Sequence, residues 1–304
     1  MNIIITGASG FVGKNLQEYL SDDKHEIKAL SLRNGNWQND IKEGDVVLHL
    51  AGKAHDVTNK FISEEYFKVN RDLTIELFDL FLQSDIRDFF YFSSVKAAGD
   101  SVEGVLIEDT ECNPYTFYGK SKLEAEQYLL RQTLPKGKRL FIIRPCMIHG
   151  RGNKGNLNLL YKIVDKGIPW PLANFKNQRS FLSIDNLCYL IDKMIQQRNL
   201  QSGVYHFADD ETISTNELIY IISKALGKEP KFWNIPSGFI KSMVKIGDVL
   251  PLPLNSERLK KLTESYVVSN QKIKTALGIQ KLPLSIKEGL IKTITSFNNH
   301  DTFF

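Results

Sequence analysis

The stretch Asn2-Ile3-Ile4-Ile5-Thr6-Gly7-Ala8-Ser9-Gly10-Phe11-Val12-Gly13 decides the fold. Its first five residues centre on three consecutive isoleucines, apolar and β-branched as a buried strand requires. Glycines follow at GxxGxxG spacing, and Phe11–Leu20 carries a helical pattern. One glycine makes the tight turn, a second lets the backbone approach a pyrophosphate, and a third lets helix pack on strand. The helix N-terminus then offers free N–H groups to phosphate oxygens. A plain tight turn needs none of this order, so Gly7, Ser9, Gly10, Phe11, Val12 and Gly13 are expected to cradle a dinucleotide.

Outward from that loop, short β-branched runs alternate with helical patterns. Glu26–Leu32, Asp45–Ala51, Asp88–Ser93 and Arg139–Arg144 read as strands, and Pro145 stops the last. Ser63–Gln83 and Tyr115–Arg131 read as helices. Such alternation means an α/β fold, a doubly wound parallel sheet with helices on both faces. After Pro145 the pattern loosens. Residues 1–150 are expected to form the dinucleotide-binding part, with 179–208 returning to it through a strand at Gly203–Phe207. The rest of 151–304 is expected to form a smaller substrate-binding lobe. Within Ile235–Leu254, Phe239, Met243, Ile246 and Leu250 make one helical stripe, expected to pack on that lobe. The alternative is a peripheral membrane contact or a mobile lid.

The 304 residues carry a formal net charge of +4 without a dense basic tract, which argues against a nucleic-acid partner. Cys112, Cys146 and Cys188 are odd in number and show no metal-ligand spacing, as expected of a reducing compartment. His49, His55, His149 and His206 show no ligand spacing either, so no metal is expected. The N-terminus has no basic region or cleavage site, and no apolar run approaches the ~20 residues that span a bilayer. A cytoplasmic location with no integral membrane segment is the expectation.

The end of the second strand usually carries an acid for the adenosine ribose. Here Ser31 and Arg33 stand there instead, and both can bind a 2′-phosphate, which favours NADP over NAD. Asp40 and Ile41 sit where an adenine amino group could be bonded. Tyr118-Gly119-Lys120-Ser121-Lys122 is YxxxK, which puts phenol and ammonium on one helical face. A nearby cation favours the phenolate, making the pair a general acid/base for hydroxyl–carbonyl interconversion. Ser94 closes a strand, where α/β active sites collect, and can bond the reacting oxygen.

Together, Gly7–Gly13, His49-Leu50-Ala51-Gly52, Val69-Asn70, Phe92-Ser93-Ser94, Tyr118–Lys122, Arg144-Pro145 and Arg179-Ser180-Phe181 resemble the extended short-chain dehydrogenases/reductases, the nucleotide-sugar epimerase/dehydratase family, over nearly the whole chain. The resemblance implies a Rossmann-type fold and Ser94, Tyr118 and Lys122 as catalytic residues. It implies that Asn70 braces the site and that Leu50, Ala51, Gly52, Ser93, Pro145 and Ile148 lie along the cofactor with Tyr118 and Lys122. It assigns Ser94, Lys96, Asn156, Arg179 and Arg258 to a nucleotide-diphosphate sugar, in keeping with the fit of guanidinium forks to diphosphate. It also implies a homodimer paired through Leu73–Leu82 and Tyr115–Arg131.

Within the family, 4,6-dehydratases carry an acid pair directly after the catalytic hydroxyl residue, where this chain has Val95 and Lys96. Elimination of water needs those groups, so dehydration is not expected. The Ser-Ser-x-Lys segment and Gly152-Asn153-Lys154-Gly155-Asn156 are similar to enzymes acting at C4 of UDP-N-acetylhexosamines or their 4-keto-6-deoxy derivatives. The expected activity is a 4-epimerase or a 4-keto reductase. A non-sugar carbonyl reductase and a non-catalytic dinucleotide-binding protein are the rivals; the first leaves Asn156 and Arg179 without a ligand, the second leaves Tyr118 and Lys122 without one.

Overall fold

The structure, a computed structural model, describes residues 1–21, 25–33, 35–41, 43–53, 63–153, 156–247 and 256–298. Its strands in chain order are β1 (Asn2–Thr6), β2 (Glu26–Leu30), β3 (Val46–His49), β4 (Asp88–Phe92), β5 (Val105–Leu106), β6 (Arg139–Pro145), β7 (Met147–His149), β8 (Arg179–Ser183), β9 (Gly203–Phe207), β10 (Thr212–Ile213) and β11 (Val267–Val268). Its helices are α1 (Phe11–Leu20), α2 (Ser63–Phe67), α3 (Leu73–Gln83), α4 (Phe117–Arg131), α5 (Asn156–Asp165), α6 (Ile184–Gln196), α7 (Thr215–Ala225), α8 (Ser237–Gly247), α9 (Ser256–Thr263), α10 (Gln271–Leu277) and α11 (Ile286–Asn298).

The large sheet runs β2-β1-β3-β4-β6-β9, with every neighbouring pair parallel. The chain leaves β1 toward β2 and comes back to β3 on the other side, so the topological switch falls between β1 and β3. Ligands of such sheets enter the crevice at the carboxyl ends of the strands at the switch. Here those ends are Thr6 and His49, which are register partners. Both faces of the sheet are covered, as its continuous apolar strands require. On one face Phe78, Phe81 and Phe89 meet with ring centroids 5.1 to 5.5 Å apart. Truncating one of them to alanine costs about 3–5 kcal/mol. On the other face α6 packs against α1.

Several boundaries differ from the sequence expectation. The second strand ends at Leu30 rather than Leu32, which puts Ser31 and Arg33 on the following loop. The third ends at His49 rather than Ala51, which frees Leu50 and Ala51 to meet the glycine loop. Tyr115–Arg131 starts as a helix only at Phe117, because Thr116 caps it: its hydroxyl accepts the Gly119 N–H at 3.1 Å. Ser63–Gln83 is not one regular helix, since a π turn at Lys68–Asp72 separates α2 from α3. Such turns are rare and concentrate at functional sites.

Of the segment 179–208, α6 and β9 join the first half. Arg179–Ser183 does not; β8 lies between β7 and β10 in a separate three-stranded sheet. A separate apolar core gathers side chains of α5, α7, α8, α9 and α11 with Phe181 of β8 and Ile213 of β10. On α8 the stripe that packs is Ile240 and Val244, while Phe239 is 60% exposed. This corrects the expected face, because the neighbouring Leu259 and Ile221 sit in the core with Ile240 and Val244. Leu250 lies outside the described residues, as do the side chains of Met243 and Ile246.

Candidate active site

At the switch point Gly7 has φ +69°, a conformation that favours glycine. A Cβ there would stand 2.7 Å from the Ala51 nitrogen and 2.8 Å from the Leu50 carbonyl carbon, so only glycine allows the two strand ends to close up. A Cβ on Gly13 would strike the Gly7 carbonyl, which fixes α1 against the loop. Gly10 differs: a Cβ there would meet only the Gly7 carbonyl oxygen, at 3.2 Å. Gly10 is also the N-cap of α1 and has no side-chain bond to the first N–H groups. Gly10 and Ser9 are exposed, so the helix end offers the donors that a pyrophosphate needs. Phe11 borders the turn after β7, since a Cβ on Gly150 would lie 3.4 Å from its ring.

The acid/base group gathers at the end of β4. The Ser94 hydroxyl stands near enough to the Tyr118 phenol to favour its ionised form, and it caps a short turn by accepting the Lys96 N–H at 3.2 Å. Burial raises the Tyr118 pKa, and the neighbouring Ser94 hydroxyl partly offsets it. The expected lowering by Lys122 is not what governs the phenol. The reason is that the buried Lys122 ammonium donates to the Phe92 carbonyl at 2.9 Å and lies 4.8 Å from the Tyr91 ring centre. Burial brings its own pKa down to about 8, against an opposing pull from Glu126. The Tyr66 ring meets Tyr118 edge-on, with centroids 6.4 Å apart.

Gly119 explains how α4 comes so near. A Cβ there would be 2.5 Å from the Lys96 carbonyl oxygen and 2.8 Å from Pro114 Cβ. Asp100 fixes the same corner, accepting the Tyr115 and Thr116 N–H groups at 2.8 and 2.9 Å. Behind it, Glu126 on α4 and Arg144 on β6 form a buried ion pair at 2.5 Å. Asn70, wholly buried in the π turn, accepts the Lys53 N–H at 2.7 Å and donates to Ser121 at 3.1 Å. A Cβ on Gly52 would touch Asn70 Oδ1 and Lys122 Nζ, at 3.1 and 3.2 Å, so the three groups line one point.

The remaining expected residues spread around this centre. Ser31 and Arg33 are exposed, with the Ser31 hydroxyl accepting the Arg33 N–H at 3.4 Å. Asp40 pairs with Lys28 at 3.3 Å, and the Ile41 side chain is in the core. Ser93 and Pro145 are buried, and Ile148 is half-buried with its carbonyl bonded by Asn153. Lys96 donates to the Asp100 carbonyl at 2.9 Å and lies 4.2 Å from the Tyr266 ring centre. Arg179 begins β8 and bridges Tyr266, and burial lowers its pKa. The side chains of Asn156 and Arg258 lie outside the described residues.

Three contributors escaped the sequence reading. Gly119 was visible inside YxxxK, but nothing local marks its close approach. Tyr266 donates to the Val95 and Gly99 carbonyls at 3.0 and 2.6 Å, tying the segment that leads into β11 to the Ser94 loop. Only long-range pairing reveals that. His49, Thr6 and Thr74 form a buried polar row, whose one signal was two polar residues ending apolar strands. Among the described residues, no cluster of three His, Cys, Asp or Glu could hold a metal ion, and no helix is long and apolar enough to cross a membrane.

With this geometry in hand, residues 3–208 match the model of the NAD dependent epimerase/dehydratase family. The chain is 30% identical to a UDP-glucose 4-epimerase of Vibrio cholerae over 97% of its own length and 95% of that protein's. It is 24% identical to an N-acetyl-α-D-glucosaminyl-diphospho-ditrans,octacis-undecaprenol 4-epimerase of Escherichia coli O157:H7, over 96% and 94%. Its fold matches that of MoeE5 in complex with UDP-glucose and NAD, with a TM-score of 0.80 at 18% identity, over 99% and 100% of the two chains. The chain belongs to the NAD-dependent epimerase/dehydratase family.

Proposed function

We propose that the chain is a nucleotide-sugar 4-epimerase. The observation that carries this reading is buried Lys122, held on the Phe92 carbonyl at the strand end that leads into Ser94, with its ammonium against Gly52, one residue beyond the Ala51 that packs on the Gly7 turn of the dinucleotide loop. A dinucleotide fits that loop, where Gly7, Gly10, Gly13 and the α1 N-terminus would hold its pyrophosphate. NAD or NADP, when bound, supplies the hydride acceptor and donor. Ser94 orients O4 of the sugar by hydrogen bonding. To act as the base Tyr118 must be the phenolate, a form that burial disfavours and that the positive charges of Lys122 and of an oxidised cofactor would favour. The phenolate then takes the O4 proton during oxidation and the phenol returns it during reduction, so a full cycle needs no net proton. Asn70 holds the Lys53 backbone in place by two hydrogen bonds, and the Phe92 carbonyl holds Lys122. Arg179 is the residue we assign to the diphosphate, where a planar fork suits two phosphate oxygens. The side chain placed after Ser94 is buried Val95, followed by Lys96, so we exclude 4,6-dehydration from the reading.

The substrate we favour is a UDP-N-acetylhexosamine or its 4-keto-6-deoxy derivative. A second reading, a 4-keto reductase using NADPH, is favoured by Ser31 and Arg33, exposed on the loop after β2. We assign any homodimer contact to α3 and α4, of which α4 exposes Phe117 and Leu130. The test is incubation with UDP-glucose, UDP-N-acetylglucosamine, dTDP- and GDP-sugars, a 4-keto-6-deoxy sugar nucleotide and a polyprenyl-diphospho-N-acetylglucosamine. An epimerase interconverts C4 epimers with no loss of NAD(P)H absorbance, whereas a reductase consumes it. No turnover of any of these sugars overturns both readings.

A further inference from the structure

The imidazole of His49 is wholly buried and enters none of these steps. Both its ring nitrogens are bonded, Nδ1 to Thr6 Oγ1 at 2.7 Å and Nε2 to Thr74 Oγ1 at 2.8 Å. The direction of each bond follows from the neighbours. The Thr74 hydroxyl gives its one proton to the Asn70 carbonyl at 2.9 Å, so toward His49 it can only accept. His49 Nε2 therefore carries a hydrogen. Burial, with the charge of Lys122 adding to it, brings the ring's pKa to about 3, so the ring is neutral and Nδ1 is an acceptor. Thr6 donates to that nitrogen and in turn accepts the Ala51 N–H at 3.2 Å. The row is thus directional: Ala51 to Thr6, Thr6 to His49, His49 to Thr74, Thr74 to the Asn70 carbonyl. Its first end lies against Gly7 in the dinucleotide loop. Its last end is the π turn, whose Asn70 side chain adjoins Lys122.

A filler in the apolar core would leave such an arrangement unexplained, since a buried polar ring is costly unless both nitrogens are bonded. We propose that His49 is a positioning residue that registers the cofactor loop, through Thr6 and Ala51, against the catalytic helix pair, through Thr74 and Asn70. The turnover part of this inference rests on the 4-epimerase reading; the cofactor part does not.

Two amide substitutions separate the two branches. Asparagine places an acceptor near the position of Nδ1, and glutamine places a donor near that of Nε2. His49→Asn keeps the Thr6 branch and cuts the Thr74 branch; His49→Gln does the reverse. NAD affinity is read by calorimetry, kcat with the best nucleotide sugar, and the Tyr118 ionisation by ultraviolet titration of the NAD-bound protein. His49→Asn should cost kcat about tenfold more than it costs NAD affinity, and His49→Gln the opposite, each the size of one lost hydrogen bond. The Tyr118 titration should move in His49→Asn more than in His49→Gln. Equal losses in both variants, or none in either, overturn the proposal. Should neither variant fold, Thr74→Val and Thr6→Val cut the same branches from outside the ring and carry the same expected split. Should the wild type turn over no nucleotide sugar, the functional reading fails, while the affinity and titration arms still decide the role of His49.

Discussion

The Lys122 ammonium donates to the Phe92 carbonyl at 2.9 Å, and Phe92 is the last residue of the strand that leads into Ser94. One strand end therefore places both the cation and the hydroxyl. Their spacing is set by backbone rather than by two independent side-chain conformations.

That arrangement costs stability. The Lys122 pKa is about 8, against 10.5 for a free lysine. Between those values the unfolded chain binds a proton that the native protein does not, so stability rises with pH across that window. Below about pH 8 the full cost of the buried charge is present, on the order of 3 kcal/mol. Lys122→Met should be more stable than the wild type near pH 7, with the gap closing toward pH 10.5, and should lose turnover. Urea unfolding at both ends of the window measures it; a gap that widens with rising pH contradicts it.

Tyr118→Phe removes the proton carrier and little volume. Turnover should fall by about two to four orders of magnitude with NAD affinity nearly intact. Retention of a tenth of the wild-type rate would falsify the assignment.

Gly119→Ala puts a methyl group 2.5 Å from the Lys96 carbonyl oxygen. The clash is with backbone, so α4, which carries Tyr118, must shift relative to the loop that carries Lys96. We expect kcat to drop by at least about tenfold, as misplacement of a reacting group does, with a lower melting temperature. Cofactor titration should show no matching loss, because Gly119 is remote in sequence from the Gly7–Gly13 loop and packs on the Lys96 side.

Arg33→Ala tests the choice of cofactor. Arg33 stands exposed just beyond β2, where a 2′-phosphate would be met. Its loss should weaken NADP by about 1.5–3 kcal/mol and NAD much less. Equal weakening by calorimetry places Arg33 outside that contact.

Arg179→Lys keeps the charge but not the planar fork. The apparent affinity for the nucleotide sugar should fall, and protection of the fold by UDP should shrink, with NAD affinity unchanged. If UDP, dTDP and GDP all leave the wild-type melting temperature unmoved at saturation, the nucleotide-sugar reading fails.

Local signals carried a large part of this site. The glycine loop, the strand-end Ser94 and the YxxxK pair each rest on spacing within a few residues, and the structure brings the Ser94 hydroxyl near the Tyr118 phenol. What escaped depends on residues far apart in sequence. No local pattern announces that Tyr266 reaches the Val95 carbonyl or that Gly119 touches Lys96. The π turn was hidden because the sequence of Lys68–Asp72 keeps a helical pattern, and the partner of its buried Asn70, Lys53, lies seventeen positions away. The stripe on α8 was misread because its partners, Ile221 and Leu259, come from other helices.

The last strand of the large sheet, β9, comes from residues 203–207 and pairs with β6. As the protein is synthesised, β6 must wait with one side unpaired until 146–202 has emerged. The waiting strand carries Phe141, Ile142 and Ile143, an apolar edge of the kind that recruits other chains. A fragment ending at residue 150 would keep that edge permanently open and should aggregate rather than bind dinucleotide. A functional split of the gene would have to supply the 203–207 strand with the second piece.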